Sequence, residues 1–150
     1  MGNINLIKDE TVFLGLQAAS REECLQLMSD GMVRAGFVAD KSVYLQDVNA
    51  REQKGSTGIG FGVAIPHGKS GGVVSAGLAF ARLAKPVEWN SLDGKPVEIV
   101  FLIGVPEEDN GNEHIKILVA LSRRLIHAEF RQKLLAVNSS AELYAVLQSI

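Results

Sequence analysis

The chemistry open to this chain rests first on its three histidines, because imidazole is mostly neutral yet readily protonated near pH 7. His67 stands in Gly60-Phe61-Gly62-Val63-Ala64-Ile65-Pro66-His67-Gly68-Lys69-Ser70. Pro66 fixes its own φ and confines Ile65 to extended conformations, so the approach to the imidazole is stiff. Gly68 leaves the ring uncrowded on its far side. Glycines at 58, 60, 62, 68, 71 and 72 would let backbone N–H groups come close to an anion. A nucleophilic imidazole beside an anion-binding backbone is one reading of the segment; a structural or surface histidine is the other. Gly68-Lys69-Ser70 also looks like the end of the phosphate-binding pattern G-x-x-x-x-G-K-[ST], but that pattern needs glycine at position 63, which is Val63. The dinucleotide pattern G-x-G-x-x-G fails at Ile65 in the same way, so a nucleotide loop is excluded.

His114 and His127 fall on one expected helix and are separated by its wheel. Lys116, Arg123, Arg124 and His127 share a stripe that must face solvent, which makes His127 a surface residue near a helix C-terminus. His114 lies on the other side with Leu118, Leu121 and Leu125, in the first turn. A helix N-terminus and burial both favour the neutral ring, which can donate a hydrogen bond to a second histidine or to a phosphoryl oxygen. A core histidine satisfied by backbone fits the same position. Arg51 is the third candidate, at the end of a helix and three residues from the glycine-rich stretch. Its planar guanidinium suits phosphate oxygens, although solvated arginines are common at helix C-termini. A metal site would need His67 and His114 plus a carboxylate, and no spacing demands one. Cys24, the single cysteine, sits in an apolar helical pattern and is expected to be a packed thiol.

Alternating helices and strands must position these groups. Thr11 to Leu16 reads as a strand, and Ser20-Arg21-Glu22-Glu23 is a capping box opening a helix that stops near Gly36. Asp40 caps a second helix in which Tyr44, Val48 and Arg51 share a face. Gly55 to Gly72 holds seven of the fifteen glycines around the short apolar run Val63-Ala64-Ile65, and is read as a structured loop. Val74 to Phe80 alternates, with Ser75, Gly77 and Ala79 forming a small face on which a helix can pack closely. Val97 to Val105 is an inner strand, apolar on both faces. Helices are expected from Glu113 to His127 with Asn112 as cap, from Ala128 to Val137, and after the capping box Ser139-Ser140-Ala141-Glu142. The result is an α/β layer sandwich in one domain, residues 1–150.

Composition narrows the function classes. Fifteen Lys and Arg against seventeen Asp and Glu give a net charge of −2, with neither sign concentrated in one half. A protein that neutralises nucleic-acid phosphates would carry a basic excess, so no nucleic-acid partner is expected. No apolar run approaches a membrane span, and the first twenty residues lack a leader pattern. A lone cysteine permits no internal disulfide, and a cytoplasmic protein is expected.

Gly58-Ile59-Gly60-Phe61-Gly62-Val63-Ala64-Ile65-Pro66-His67-Gly68 resembles the segment around the active histidine of enzyme IIA domains of the mannitol/fructose type, in the phosphoenolpyruvate-dependent sugar phosphotransferase system. The likeness extends over the helix leading to Arg51, Asp93-Gly94-Lys95-Pro96-Val97, Gly104-Val105-Pro106-Glu107 and the His114 helix. It implies a mixed β-sheet flanked by helices on both faces. It also implies a phosphotransferase in which His67 accepts a phosphoryl group from the histidine phosphocarrier protein (HPr) and passes it to a cysteine of a IIB component. A membrane IIC permease is then an indirect associate, and no cofactor or metal is needed. His114 matches the family's second histidine and Arg51 an arginine at the phosphate site. Phe61 departs from the pattern, replacing a residue that is often polar and making the expected docking face more apolar. Cys24 is not in a phosphocysteine loop, so the IIB role is not in this chain. Nitrogen-type IIA proteins, which control other proteins according to phosphorylation state, share the fold and form the second functional reading. Trp89-Asn90-Ser91-Leu92-Asp93-Gly94 resembles the fructose type more.

Overall fold

The computed structural model describes residues 6–108 and 113–148, with side chains of the second segment from Ile115 onward. Its sheet is built from β1 (Val12–Leu16), β2 (Gly58–Gly60), β3 (Val63–Ala64), β4 (His67–Ser70), β5 (Gly77–Val87) and β6 (Val97–Pro106). Five helices flank it: α1 (Arg21–Arg34), α2 (Lys41–Gln53), α3 (Glu113–Leu125), α4 (Ala128–Ala136) and α5 (Ser140–Leu147). The strand order is β1-β5-β6-β3-β2, and β4 continues the line of β3 along the same side of β6. The β1/β5, β3/β6 and β4/β6 pairs are parallel and the β5/β6 and β2/β3 pairs antiparallel, so the sheet is mixed, as the resemblance implies. No helix among the described residues is long and apolar enough to cross a membrane.

Helix entries follow the capping chemistry read in the sequence. Ser20 accepts the Glu23 amide, Asp40 the Val43 amide and Ser139 the Glu142 amide. Gly36, at φ +85°, stands just past α1, where the left-handed region favours glycine. The expected cap Asn112 lies outside the described residues.

Alternation along β5 and β6 sends side chains to two separate cores. Ala79, Ala81, Val100 and Leu102 meet α1 and α2 through Leu25, Met28, Met32, Tyr44 and Val48. Leu78, Phe80, Ile99, Phe101 and Ile103 meet α3, α4 and α5 through Ile117, Leu121, Leu125, Phe130, Leu134 and Leu143. The small face foreseen on β5 exists: a Cβ on Gly77 would stand 2.4 Å from the Phe37 ring.

Three boundaries differ from the sequence reading. β5 begins at Gly77 instead of Val74, because the Val74 and Ser75 amides donate to the Phe37 carbonyl and hold that stretch off the sheet. It then runs on to Val87 through an irregularity between Arg82 and Val87 that accommodates Pro86. The helix expected to reach His127 ends at Leu125, and His127 is the N-cap residue of α4, without a side-chain cap bond. His127 is exposed, as expected, but lies between two helices.

Candidate functional site

α2 carries Arg51 and rests on β4. Tyr44 and Val48 are both buried, and they press on glycine: a Cβ on Gly68 would be 3.0 Å from Val48 Cγ2 and 3.3 Å from the Tyr44 ring. Tyr44 Oη donates to the Ile103 carbonyl at 2.8 Å, which ties the helix to the middle of the sheet. A Cβ on Gly72 would meet the Asp40 carbonyl at 2.4 Å, and one on Gly58 would meet Ser91 Oγ at 2.3 Å. Glycines at 58, 68 and 72, read in the sequence as anion-approach points, therefore serve close packing.

Pro66 joins β3 to β4, and its carbonyl accepts the Ile103 amide at 3.0 Å, so the register is held through the junction. His67 is the first residue of β4 and pairs in register with Ile103. Because Gly68 faces α2, alternation turns the His67 side chain to the α3 side, the side to which Ile103 also points. The ring is half-buried, and its Nδ1 lies 2.9 Å from the Ile65 carbonyl. A carbonyl only accepts, so this bond places the ring hydrogen on Nδ1 and the lone pair on Nε2. That tautomer is a nitrogen nucleophile with a fixed direction of attack.

Arg51 lies at the end of α2, where its Nη1 donates to the Gly55 carbonyl at 2.8 Å. α2 covers the face of β4 opposite the His67 ring. The way from guanidinium to imidazole runs round the outer edge of β4, which pairs only with β6 among the described strands. His114 is in the first turn of α3, and its side chain lies outside the described residues. Cys24 is fully buried, with Sγ 3.7 Å from Met28 Sδ, and burial pushes its thiol up to about 12. It is packed core, as read, and not a nucleophile.

Phe61 occupies the turn between β2 and β3. Its φ of +60°, between Gly60 and Gly62 also at positive φ, is uncommon for a bulky residue. The Asp93 carboxylate accepts the Phe61 amide at 3.2 Å, and the Arg131 guanidinium covers the ring at 4.4 Å. The Lys95 amide, and less strongly the Phe61 amide, hold the Asp93 carboxyl below its usual range. Val63 pairs with Ile99 and His67 with Ile103, so the Phe61 turn is offset from His67 by at least four residues, roughly 13 Å along β6.

One buried charged group next to Arg51 escaped the sequence reading. Glu52 is 7% exposed; its Oε2 accepts the Thr57 amide at 2.8 Å and its Oε1 the Thr57 hydroxyl at 2.6 Å. Buried Trp89 donates its indole N–H to the same Thr57 oxygen at 3.1 Å. The signal was present, because Tyr44, Val48 and Glu52 repeat every four residues and so share the buried face of α2.

Residues 5–150 match the family model for the phosphoenolpyruvate-dependent sugar phosphotransferase system, EIIA 2. The chain is 37% identical over 141 residues to the PTS system fructose-specific EIIA component of Haloferax volcanii, covering 94% of this chain and 91% of that protein. It is 34% identical over 142 residues to the fructose-specific EIIABC component of Bacillus subtilis, matching 95% of this chain and only 22% of that longer protein. Among solved structures, the nitrogen regulatory protein IIA-Ntr from Neisseria meningitidis superposes with a TM-score of 0.88 at 32% identity, covering 95% of this chain and 97% of that one. The complex of enzyme IIAMTL with phosphorylated enzyme IIBMTL from Escherichia coli matches with a TM-score of 0.80 at 25% identity, covering 97% of this chain and 100% of the matched one.

Proposed function

The chain belongs to the EIIA 2 family of the sugar phosphotransferase system, whose members are phosphotransferase components that carry phosphoryl groups, and we propose that it does so on Nε2 of His67. The observation that carries this reading is the bond between Nδ1 and the Ile65 carbonyl, which orients one ring nitrogen for attack. The donor is the phosphohistidine of HPr. The Nε2 lone pair forms the new P–N bond in line as the donor's P–N bond breaks, and the bonding pair returns to the donor imidazole. His67 keeps its Nδ1 hydrogen on the Ile65 carbonyl throughout, so its positive charge develops against a fixed acceptor. There is little covalent work besides this; the rest is positioning and stabilisation of charge on the phosphoryl oxygens. In this reading Arg51 reaches round the edge of β4 to those oxygens, and His114, from the first turn of α3, adds a donor. Because the donor is itself a phosphoprotein, the scheme asks for no nucleotide or metal.

The next step passes the group to a cysteine thiolate of a IIB component, a pairing supported by the complex known for the mannitol relative. The IIB component serves a membrane IIC permease, and the fructose class is favoured by likeness to the Haloferax and Bacillus components. A phosphoryl chain that starts from phosphoenolpyruvate operates in the cytoplasm, which is where this reading puts the protein, acting as a single IIA domain. The second reading, regulation of other proteins by phosphorylation state, is favoured by the similarity to the nitrogen regulatory protein. Incubation with phosphoenolpyruvate, enzyme I and HPr, followed by intact mass, tests the shared step. One acid-labile phosphoryl group on the wild type and none on His67→Ala is expected; equal labelling of both overturns the assignment. Onward transfer to a fructose-class IIB component then separates the transport reading, which requires it, from the regulatory one.

A further inference from the structure

A buried carboxylate is costly unless its oxygens are fully engaged. Glu52 forms no ion pair among the described residues, yet it lies in the interior directly after Arg51. Both of its oxygens go to a single residue, one to the Thr57 amide and one to the Thr57 hydroxyl. That hydroxyl donates to Glu52, and its oxygen accepts from Trp89, so the rotamer of Thr57 is held from both sides. Packing alone would be served by an apolar side chain. Two acceptors on one stem, 2.8 and 2.6 Å from two donors of one residue, serve to fix a backbone.

The fixed backbone leads to the imidazole. The Thr57 carbonyl accepts the Ile65 amide at 3.0 Å, and the Ile65 carbonyl accepts His67 Nδ1 at 2.9 Å. Pro66 then leaves little freedom between the anchored Ile65 and the ring. On its other side Glu52 adjoins Arg51, whose Nη1 holds the Gly55 carbonyl, while the Glu52 carbonyl accepts the Gly55 amide at 3.2 Å.

We propose that Glu52 is a positioning residue for phosphoryl acceptance, acting through Thr57 and Ile65 to hold His67 as the Nδ1–H tautomer and to set Arg51 relative to it. The proposal rests on His67 being the phosphoryl acceptor, but its first readout does not. Ring nitrogen spectra of unphosphorylated protein, labelled with ¹⁵N at histidine, report the tautomer directly. The wild type and Thr57→Ser, which keeps the hydroxyl, are expected to show one Nδ1–H form. Glu52→Gln and Thr57→Val are expected to show mixed tautomers and acceptance from phosphorylated HPr slowed roughly 10- to 100-fold, the scale of a reacting group misplaced by about an ångström. Thr57→Val matches threonine in shape, so it carries the test if Glu52→Gln does not fold. Wild-type ring spectra and rates in folded Glu52→Gln or Thr57→Val, whatever their melting temperatures, would overturn the proposal, and so would a Thr57→Ser protein that behaves like Thr57→Val. A wild type that takes no phosphoryl group from an active donor sinks the functional reading instead, and the tautomer comparison still decides the positioning claim.

Discussion

The two faces of the sheet differ in how many small residues their strands present. On the α1/α2 face small strand residues, Gly68, Gly77, Ala79, Ala81 and Gly104, lie beside Val100 and Leu102 of β6, and Phe37, Tyr44, Met28 and Met32 of the covering layer fill the space above the small ones. On the α3/α4/α5 face the strands present large residues, with Leu78, Phe80, Phe101 and Ile103 meeting Ile117, Leu121, Phe130 and Leu134 of the helices, and the Phe80 and Phe101 rings in edge contact at 5.2 Å. Small strand residues bring backbones together, and that is why α2 can press Val48 on Gly68 and deliver Arg51 and Glu52 beside β4. Large strand residues fill volume and leave the helices further out. His67 belongs by direction to the second face and by support to the first. The candidate site thus sits at the edge where close approach on one side fixes a reactive ring on the other.

The largest expected effect is on the large-residue face. Phe101→Ala leaves a void that α3 does not fill and should lower stability by about 3–5 kcal/mol in urea unfolding. A loss under about 1 kcal/mol would mean that this face collapses freely and the contrast is wrong. Gly77→Ala tests the small face with one methyl group. Alanine in a strand ordinarily gains over glycine by roughly 0.5–1 kcal/mol. Here its Cβ meets Phe37, and a net loss of about 1–3 kcal/mol is expected. A gain would show that the Phe37 ring, between α1 and α2, moves aside freely. Tyr44→Phe removes the donor to the Ile103 carbonyl and should cost about 1 kcal/mol by the same measurement. Cys24 is tested by reactivity, with no change of residue. Its thiol, raised to about 12 by burial, stays protonated where an unfolded one ionises near 8.5. The preference is fully present below pH about 8.5 and is lost as pH climbs towards the folded value. A thiol reagent at pH 8.5 should therefore label the native protein at least roughly a hundredfold more slowly than the urea-unfolded chain. Equal rates would mean that the α1/α2 core opens readily.

Much of this was legible in the residues. Local chemistry carried the helix entries, since Ser20, Asp40 and Ser139 cap through their own short side chains whatever the tertiary context. Periodicity carried the inner strand at Val97 and the small face at Gly77. The start of β5 was misplaced because Val74 and Ser75 are captured by the Phe37 carbonyl, a contact between residues 37 apart or more that no window along the chain reports. His67 was marked by its neighbours Pro66 and Gly68, which act locally. Glu52 was missed for the converse reason. Nothing local separates a buried carboxylate from a solvated one at a helix end, and only its four-residue step from Val48 placed it inward. The glycines around His67 show the same limit, since the sequence gives their freedom but not whether a phosphate or a neighbouring helix uses it.

The most direct test is to locate the phosphoryl group on the ring. In protein labelled with ¹⁵N at histidine and phosphorylated through HPr, the phosphorus coupling is expected at Nε2 of His67, with Nδ1 still protonated. Coupling at Nδ1, or a phosphoryl group on another residue, would contradict the central claim that the Ile65 carbonyl selects the nucleophilic nitrogen.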